Sequence, residues 1–132
     1  MGVILGILMF LNIGPHSDIV KTFKKEDVKH MSQFVDGPIL IRAEGKTIVM
    51  DKKSFLGYLE LVFKNSVVSN VKMSRPLKSK LHFLYVDQNK YRKNRLFMVE
   101  MYLTDLNDSH TLSNAIFFDI YKRKIVEVLL WI

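Results

Sequence analysis

A chain of 132 residues is one domain long, and with 48% apolar and 25% charged residues it has the composition of a folded globular protein, not a disordered one. No stretch reaches the roughly 18–20 apolar residues of a complete helical membrane span, and the absence of cysteine excludes disulfide frameworks, thiol nucleophiles and cysteine-ligated zinc or iron–sulfur sites. Twenty Lys+Arg against thirteen Asp+Glu leave a net charge of +7, which favours anionic partners without specifying one.

Met1 to Ile13 carry no charged side chain. The apolar run Val3 to Leu11, closed by Asn12, Gly14 and Pro15, has the length of a signal-peptide core. No Lys or Arg precedes it, and no small-x-small pattern follows it. As a helix, the thirteen residues rise about 20 Å, short of the roughly 30 Å hydrocarbon layer. A start placed a few codons too late accounts for both the missing charges and the short span. The adopted reading is a signal-like or anchor-like segment, 1–15, ahead of a single domain, 16–132, which puts the protein at a membrane or outside the cytoplasm. In the competing reading Gly2, Gly6 and Pro15 bound an ordinary core element and the protein is cytoplasmic. Lys21, Lys24 and Lys25 after the run favour retention of an anchored domain on the cytoplasmic side; a lost basic N-terminus reverses that.

Ser17 and Asp18 are N-cap types, and Val20, Phe23, Val28, Met31 and Phe34 recur at loosely helical spacing. They predict one helix, ended by Asp36-Gly37-Pro38, with a short strand at Ile19–Phe23 as the competing reading. Ile39 to Arg42 and Thr47 to Met50 are β-rich runs joined through a glycine-containing connection, a hairpin signal. Asp51 then caps a second helix. Its apolar positions Phe55, Tyr58, Leu59, Val62 and Phe63 fall at i, i+3, i+4, i+7 and i+8, and Asn65-Ser66 stops it. This stripe reads as core packed on a sheet, each large side chain contributing about 1.5–3 kcal/mol when fully buried.

After Pro76 four runs read as strands: Leu81 to Val86, Arg95 to Thr104, Ala115 to Tyr121 and Lys124 to Trp131. The polar connections between them are Asp87 to Asn94, Asp105 to Ser113 and Tyr121 to Lys124. In the second run Phe97, Val99, Met101 and Leu103 share one face, while Leu96 and Met98 join Glu100 on the other, as in a central strand covered on both sides. In the last run Val126, Val128 and Leu130 alternate with Glu127 and Trp131. The predicted fold class is therefore α+β: an antiparallel sheet, made of a hairpin and a C-terminal four-stranded meander, with about two helices packed on one face. In general plan this resembles small cystatin-like and nuclear-transport-factor-like domains, a likeness of architecture with no residue motif behind it.

In an up-down meander the first and third connections lie at the same end. That gathers Lys90, Arg92, Lys93 and Arg95 with Lys122, Arg123 and Lys124, beside Tyr91 and Tyr121, as a candidate anion-binding pole for phosphate, nucleic acid backbone or lipid head groups. Solvated turns that keep strand edges soluble are the plainer reading of the same residues. Lys72, Arg75, Lys78 and Lys80 read as a solvated connection, or as a surface lying on lipid head groups if the domain sits at a membrane. His16, His30, His82 and His110 are scattered without metal-ligand spacing. The best polar cluster, Asp105 to His110, has the composition of an ordinary turn and lacks the glycine and distant glutamate of a calcium loop. Neither a nucleophile elbow nor a phosphate-binding glycine motif occurs, and nothing pairs Glu60 or Glu100 with a second carboxylate. The expectation is a non-catalytic accessory or binding domain with no metal and no cofactor. Its partner is a protein or an anionic ligand, with a membrane surface or nucleic acid as alternatives.

Overall fold

The computed structural model describes residues 16–43, 46–76 and 95–131. The segment 1–15 and the expected strand Leu81–Val86 lie outside them. Helix α1 spans Ser17–Lys24 and α2 spans Val28–Met31, followed by a single 3₁₀ turn, Ser32–Phe34. The spacing predicts one helix here, and two form. Glu26 turns left-handed at φ 54°, and the N–H groups of Glu26 and Asp27 donate back to Phe23 and Thr22, closing α1. Asp27 then starts α2 by accepting from the His30 N–H at 3.2 Å.

The hairpin forms as read, with β1 Ile39–Ala43 antiparallel to β2 Lys46–Met50 and Ile39 opposite Met50. Helix α3, Lys52–Asn65, begins where the Asp51 carboxylate accepts from the Ser54 N–H at 2.7 Å. Asp51→Ala should destabilise the protein by about 1 kcal/mol, and Asp51→Asn, which keeps the acceptor, by much less. Urea denaturation of the two variants separates these outcomes.

The remaining strands are β3 Ser66–Ser74, β4 Leu96–Asp105, β5 Thr111–Asp119 and β6 Ile125–Trp131, in a sheet ordered β2-β1-β6-β5-β4-β3. Two expectations are corrected here. The sheet is mixed, because β1 runs parallel to β6 while every other pairing is antiparallel. The neighbour of β4 is Ser66–Ser74, which lies ahead of Pro76. A bulge between Ser69 and Lys72, with Asn70 at φ 53°, hides that strand from pattern reading: its core contacts, Val68 and Val71, fall three residues apart instead of two. The side chain of Glu26 accepts from the Val68 N–H at 3.4 Å, so the α1–α2 break is tied to this strand.

The order of the sheet explains the position of α3. Its two flanking strands, β2 and β3, are the opposite edges of the sheet formed by the described residues, about 24 Å apart across five strand spacings. Fourteen helical residues rise about 21 Å, so α3 bridges the edges by crossing one face of the sheet. On that face Ile19 and Phe23 of α1 and Phe55, Leu59 and Phe63 of α3 bury against Phe97, Val99, Met101, Ile116 and Phe118. Both longer helices therefore share one face. The opposite face carries a second buried cluster, Leu96, Met98, Ala115, Phe117 and Leu129, so β4 is covered on both sides. A bulge in the β5–β6 register moves Val126 to this second cluster, away from Val128, and Glu127 is fully buried.

Candidate ligand-binding cavity

Between α3 and the sheet the packing opens into a cavity. Its deep part is narrow, about 30 Å³, and apolar, walled by the α3 stripe on one side and by Met101, Ile116, Val128 and Leu130 on the other. It adjoins a wider outer part of about 270 Å³ that shares Tyr58, Val62, Leu103, Asn114 and Leu130. Ser66, Asp105, Asp108, His110 and Leu112 form the mouth. The α3 stripe, expected to be core alone, divides its work. Phe55, Leu59 and Phe63 are buried, while Tyr58 and Val62 stay half-buried. Burial pushes the Tyr58 phenol up from its ordinary value.

Asn114 is the polar exception in the apolar wall. It is opposite Met101 and Leu130 in register, so it faces α3, and it is only 3% exposed. Its amide nitrogen donates to the Leu112 carbonyl at 3.3 Å, and its Oδ1 accepts no hydrogen bond from the described residues. A buried acceptor left in this state costs about 1–3 kcal/mol, which a donor brought by a ligand recovers. The sequence reading missed this residue, since Asn114 fell between the expected turn Asp105–Ser113 and the expected strand Ala115–Tyr121. The signal was there: stepping back by two from Ile116 reaches Asn114 and then Leu112, a polar residue on an inward-facing row.

The mouth is held by its own turn. Asp105 Oδ1 accepts from the N–H groups of Asn107 at 2.7 Å and Asp108 at 3.3 Å, and an Asp108 oxygen accepts from the His110 N–H at 2.8 Å. The Leu106 N–H donates to the Asn65 carbonyl at 2.9 Å, which fastens the turn to the C-terminal end of α3. Asp105, Asp108 and His110, read from sequence as a turn, thus form a turn that also rims the cavity.

The four described candidate anion-binding residues, Arg95, Lys122, Arg123 and Lys124, sit at the other end of the sheet. Lys90, Arg92 and Lys93 lie outside the described residues. Arg95 immediately precedes β4, next to the β5–β6 turn that carries Lys122, Arg123 and Lys124; its carbonyl accepts from the Ile120 N–H at 2.8 Å. Three of these four cations make internal contacts. Arg95 donates to Asp119 at 3.4 Å and lies over the Tyr121 ring at 5.3 Å. Arg123 pairs with Asp18 of α1, and the Lys124 ammonium donates to the Gln33 carbonyl. Lys122 is exposed. Nearby, His16 stacks on Phe97 with ring centroids 4.1 Å apart. Burial, and secondarily the Arg123 charge, push its imidazole below the ordinary value.

Among solved structures this fold is similar to that of a DUF4783 family protein from Bacteroides uniformis ATCC 8492, at 15% identity and a TM-score of 0.57 over 89% of this chain and 95% of that one. It is also similar to an NTF2-like protein of unknown function from Cytophaga hutchinsonii ATCC 33406, at 11% identity and a TM-score of 0.54 over 87% and 93% of the two chains. A candidate SnoaL-like polyketide cyclase from Mesorhizobium loti matches at 15% identity and a TM-score of 0.52, again over 87% and 93%. At such identities the likeness is one of fold alone, an α+β domain. No family model matches the sequence, and no curated protein does.

Proposed function

We propose that this is a non-catalytic binding domain that takes a small, largely apolar molecule into the cavity between α3 and the sheet. The observation that carries the reading is the buried, unpaired Oδ1 of Asn114 in a wall otherwise lined by apolar side chains. Asn114 orients a ligand in the deep part without supplying an acid–base pair there, while the titratable groups Asp105, Asp108 and His110 stand at the mouth. Among the described residues, Tyr58 is the titratable group lining the deep part, and its raised pKa makes it a poor base at neutral pH. At the mouth, Asp105 and Asp108 already accept from backbone N–H groups. The proposal includes the apolar segment 1–15 as the element that exports the domain or holds it at a membrane. Mass spectrometry of the native N-terminus with membrane fractionation tests that part, and an intact Met1 on a freely soluble protein ends it.

The cavity itself is tested with a neutral fluorescent probe, N-phenyl-1-naphthylamine, titrated into the full chain. Saturable binding is expected, weakened at least about tenfold in Val62→Trp, because Val62 lines both parts of the cavity and a larger side chain there occupies ligand space. Circular dichroism confirms that the variant is folded. Absence of saturable binding, or equal binding by a folded Val62→Trp, overturns the reading.

A further inference from the structure

The ligand's chemistry is written in the polarity of the cavity from depth to mouth, and the inference that follows rests on the cavity being the binding site. We infer that the ligand carries a cationic, hydrogen-bond-donating head, an ammonium on an apolar body, and that this head sits between Asn114 and the mouth. Three of the polar groups favour a donor, Asn114, Asp105 and Asp108, with Tyr58, Ser66 and His110 beside them. Asn114 Oδ1 is an acceptor closed off from protein donors. Asp105 and Asp108 are carboxylates on the rim of the same cavity that Asn114 lines. Their recorded hydrogen bonds come from turn N–H groups, two to Oδ1 of Asp105 and one to Oδ1 of Asp108, and each carboxylate has a second oxygen. An anionic head would meet two like charges and a lone pair here, and a neutral body alone would leave Asn114 unpaired.

The net charge of +7 does not cancel this preference. The basic turn Ile120–Lys124 lies beyond the far end of β5, and the nine residues of that strand put about 27 Å between the two ends. Charges that far apart are screened over a Debye length of about 8 Å at physiological ionic strength. Among the described residues lining the mouth, Asp105 and Asp108 supply the carboxylates.

The test is isothermal titration of the full chain with n-octylammonium, n-octanol and n-octanoate, which share one apolar body and differ in the head. Octylammonium should bind about tenfold more tightly than octanol, and octanoate weakest of the three. Asp105→Asn with Asp108→Asn keeps an amide oxygen for every turn N–H while removing both charges. In that double variant the ammonium preference should collapse to within about twofold of the alcohol. Asn114→Leu should weaken octylammonium and octanol alike, since both donate. Octanol and octanoate binding as tightly as octylammonium, or an ammonium preference that survives the double variant, overturns the head-group inference and leaves the cavity standing. Failure of all three to bind overturns the cavity reading itself.

Discussion

Phe118→Ala is expected to cost about 3–5 kcal/mol, a large share of the 5–15 kcal/mol that holds a domain folded. Phe118 is fully buried on β5. Its ring stacks on Phe97 of β4 with centroids 5.0 Å apart, and meets Phe23 of α1 edge-on at 6.2 Å and Phe34 of the 3₁₀ turn at 6.1 Å. Truncation removes the transfer energy of the ring and leaves a space that its three aromatic neighbours, Phe97 itself stacked on His16, cannot close. Urea denaturation should show a lower midpoint at unchanged slope. Phe118→Leu, which keeps most of the volume, should lose less than half as much. An Ala variant within about 1 kcal/mol of the wild type would mean that the helices can repack on the sheet without this ring.

The elements that were legible in sequence are those whose information is local. The Asp51 cap, the i, i+3, i+4 stripe of α3 and the hairpin around Gly45 each lie within a dozen residues, and α3 and the hairpin formed where the pattern put them. The alternation of Phe97, Val99 and Met101 against Leu96 and Met98 likewise sorted β4 between two cores. What failed was non-local or bulged. The parallel pairing of β1 with β6 joins Ile41 to Val128, and no short-range pattern encodes that direction. It results from α3 carrying the chain to the opposite edge before the meander returns. β3 was missed because the Asn70 bulge breaks the period-2 signal on which strand reading depends.

For the site, the limit was of another kind. Composition drew attention to cations, but Arg95, Arg123 and Lys124 each hold a partner that becomes a neighbour only in the fold: Asp119, Asp18 and Gln33. The separation from Asp18 to Arg123 is more than a hundred residues, so no spacing rule could have paired them. The cavity, by contrast, rests on a residue that looked unremarkable in a linear reading. Asn114 acquires meaning only once β5 is extended back to Thr111 and its inward row is counted.

Asp119→Ala should be the second costly change, at about 2–3 kcal/mol, with Asp119→Asn losing about half of that. The carboxylate is buried at the end of β5 and accepts from the N–H groups of Tyr121 at 2.9 Å and Lys122 at 3.1 Å and from Arg95. It shapes the turn in which Arg123 stands at φ 57°, and through Arg123 and Lys124 that turn binds α1 and the 3₁₀ segment to the sheet. Burial alone would raise the pKa of Asp119, but the N–H donors of Lys122 and Tyr121, followed by Arg95, outweigh it and hold the carboxyl below its ordinary range. The unfolded chain therefore takes up the proton first as pH falls. The associated stability is complete above the unfolded value of about 3.9 and disappears as pH drops through the lower folded value. Asn at this position should flatten that acid limb. His16 acts in a different window: with its folded pKa below the unfolded 6.5, it contributes fully above about 6.5 and progressively less as the medium becomes mildly acidic. Urea midpoints between pH 7 and pH 3 should show both limbs in the wild type, with only the lower one flattened in Asp119→Asn. A lower limb of unchanged steepness in that variant would assign the acid sensitivity to other carboxylates, Asp18 first among them, since it is held low against burial by its bond to Arg123.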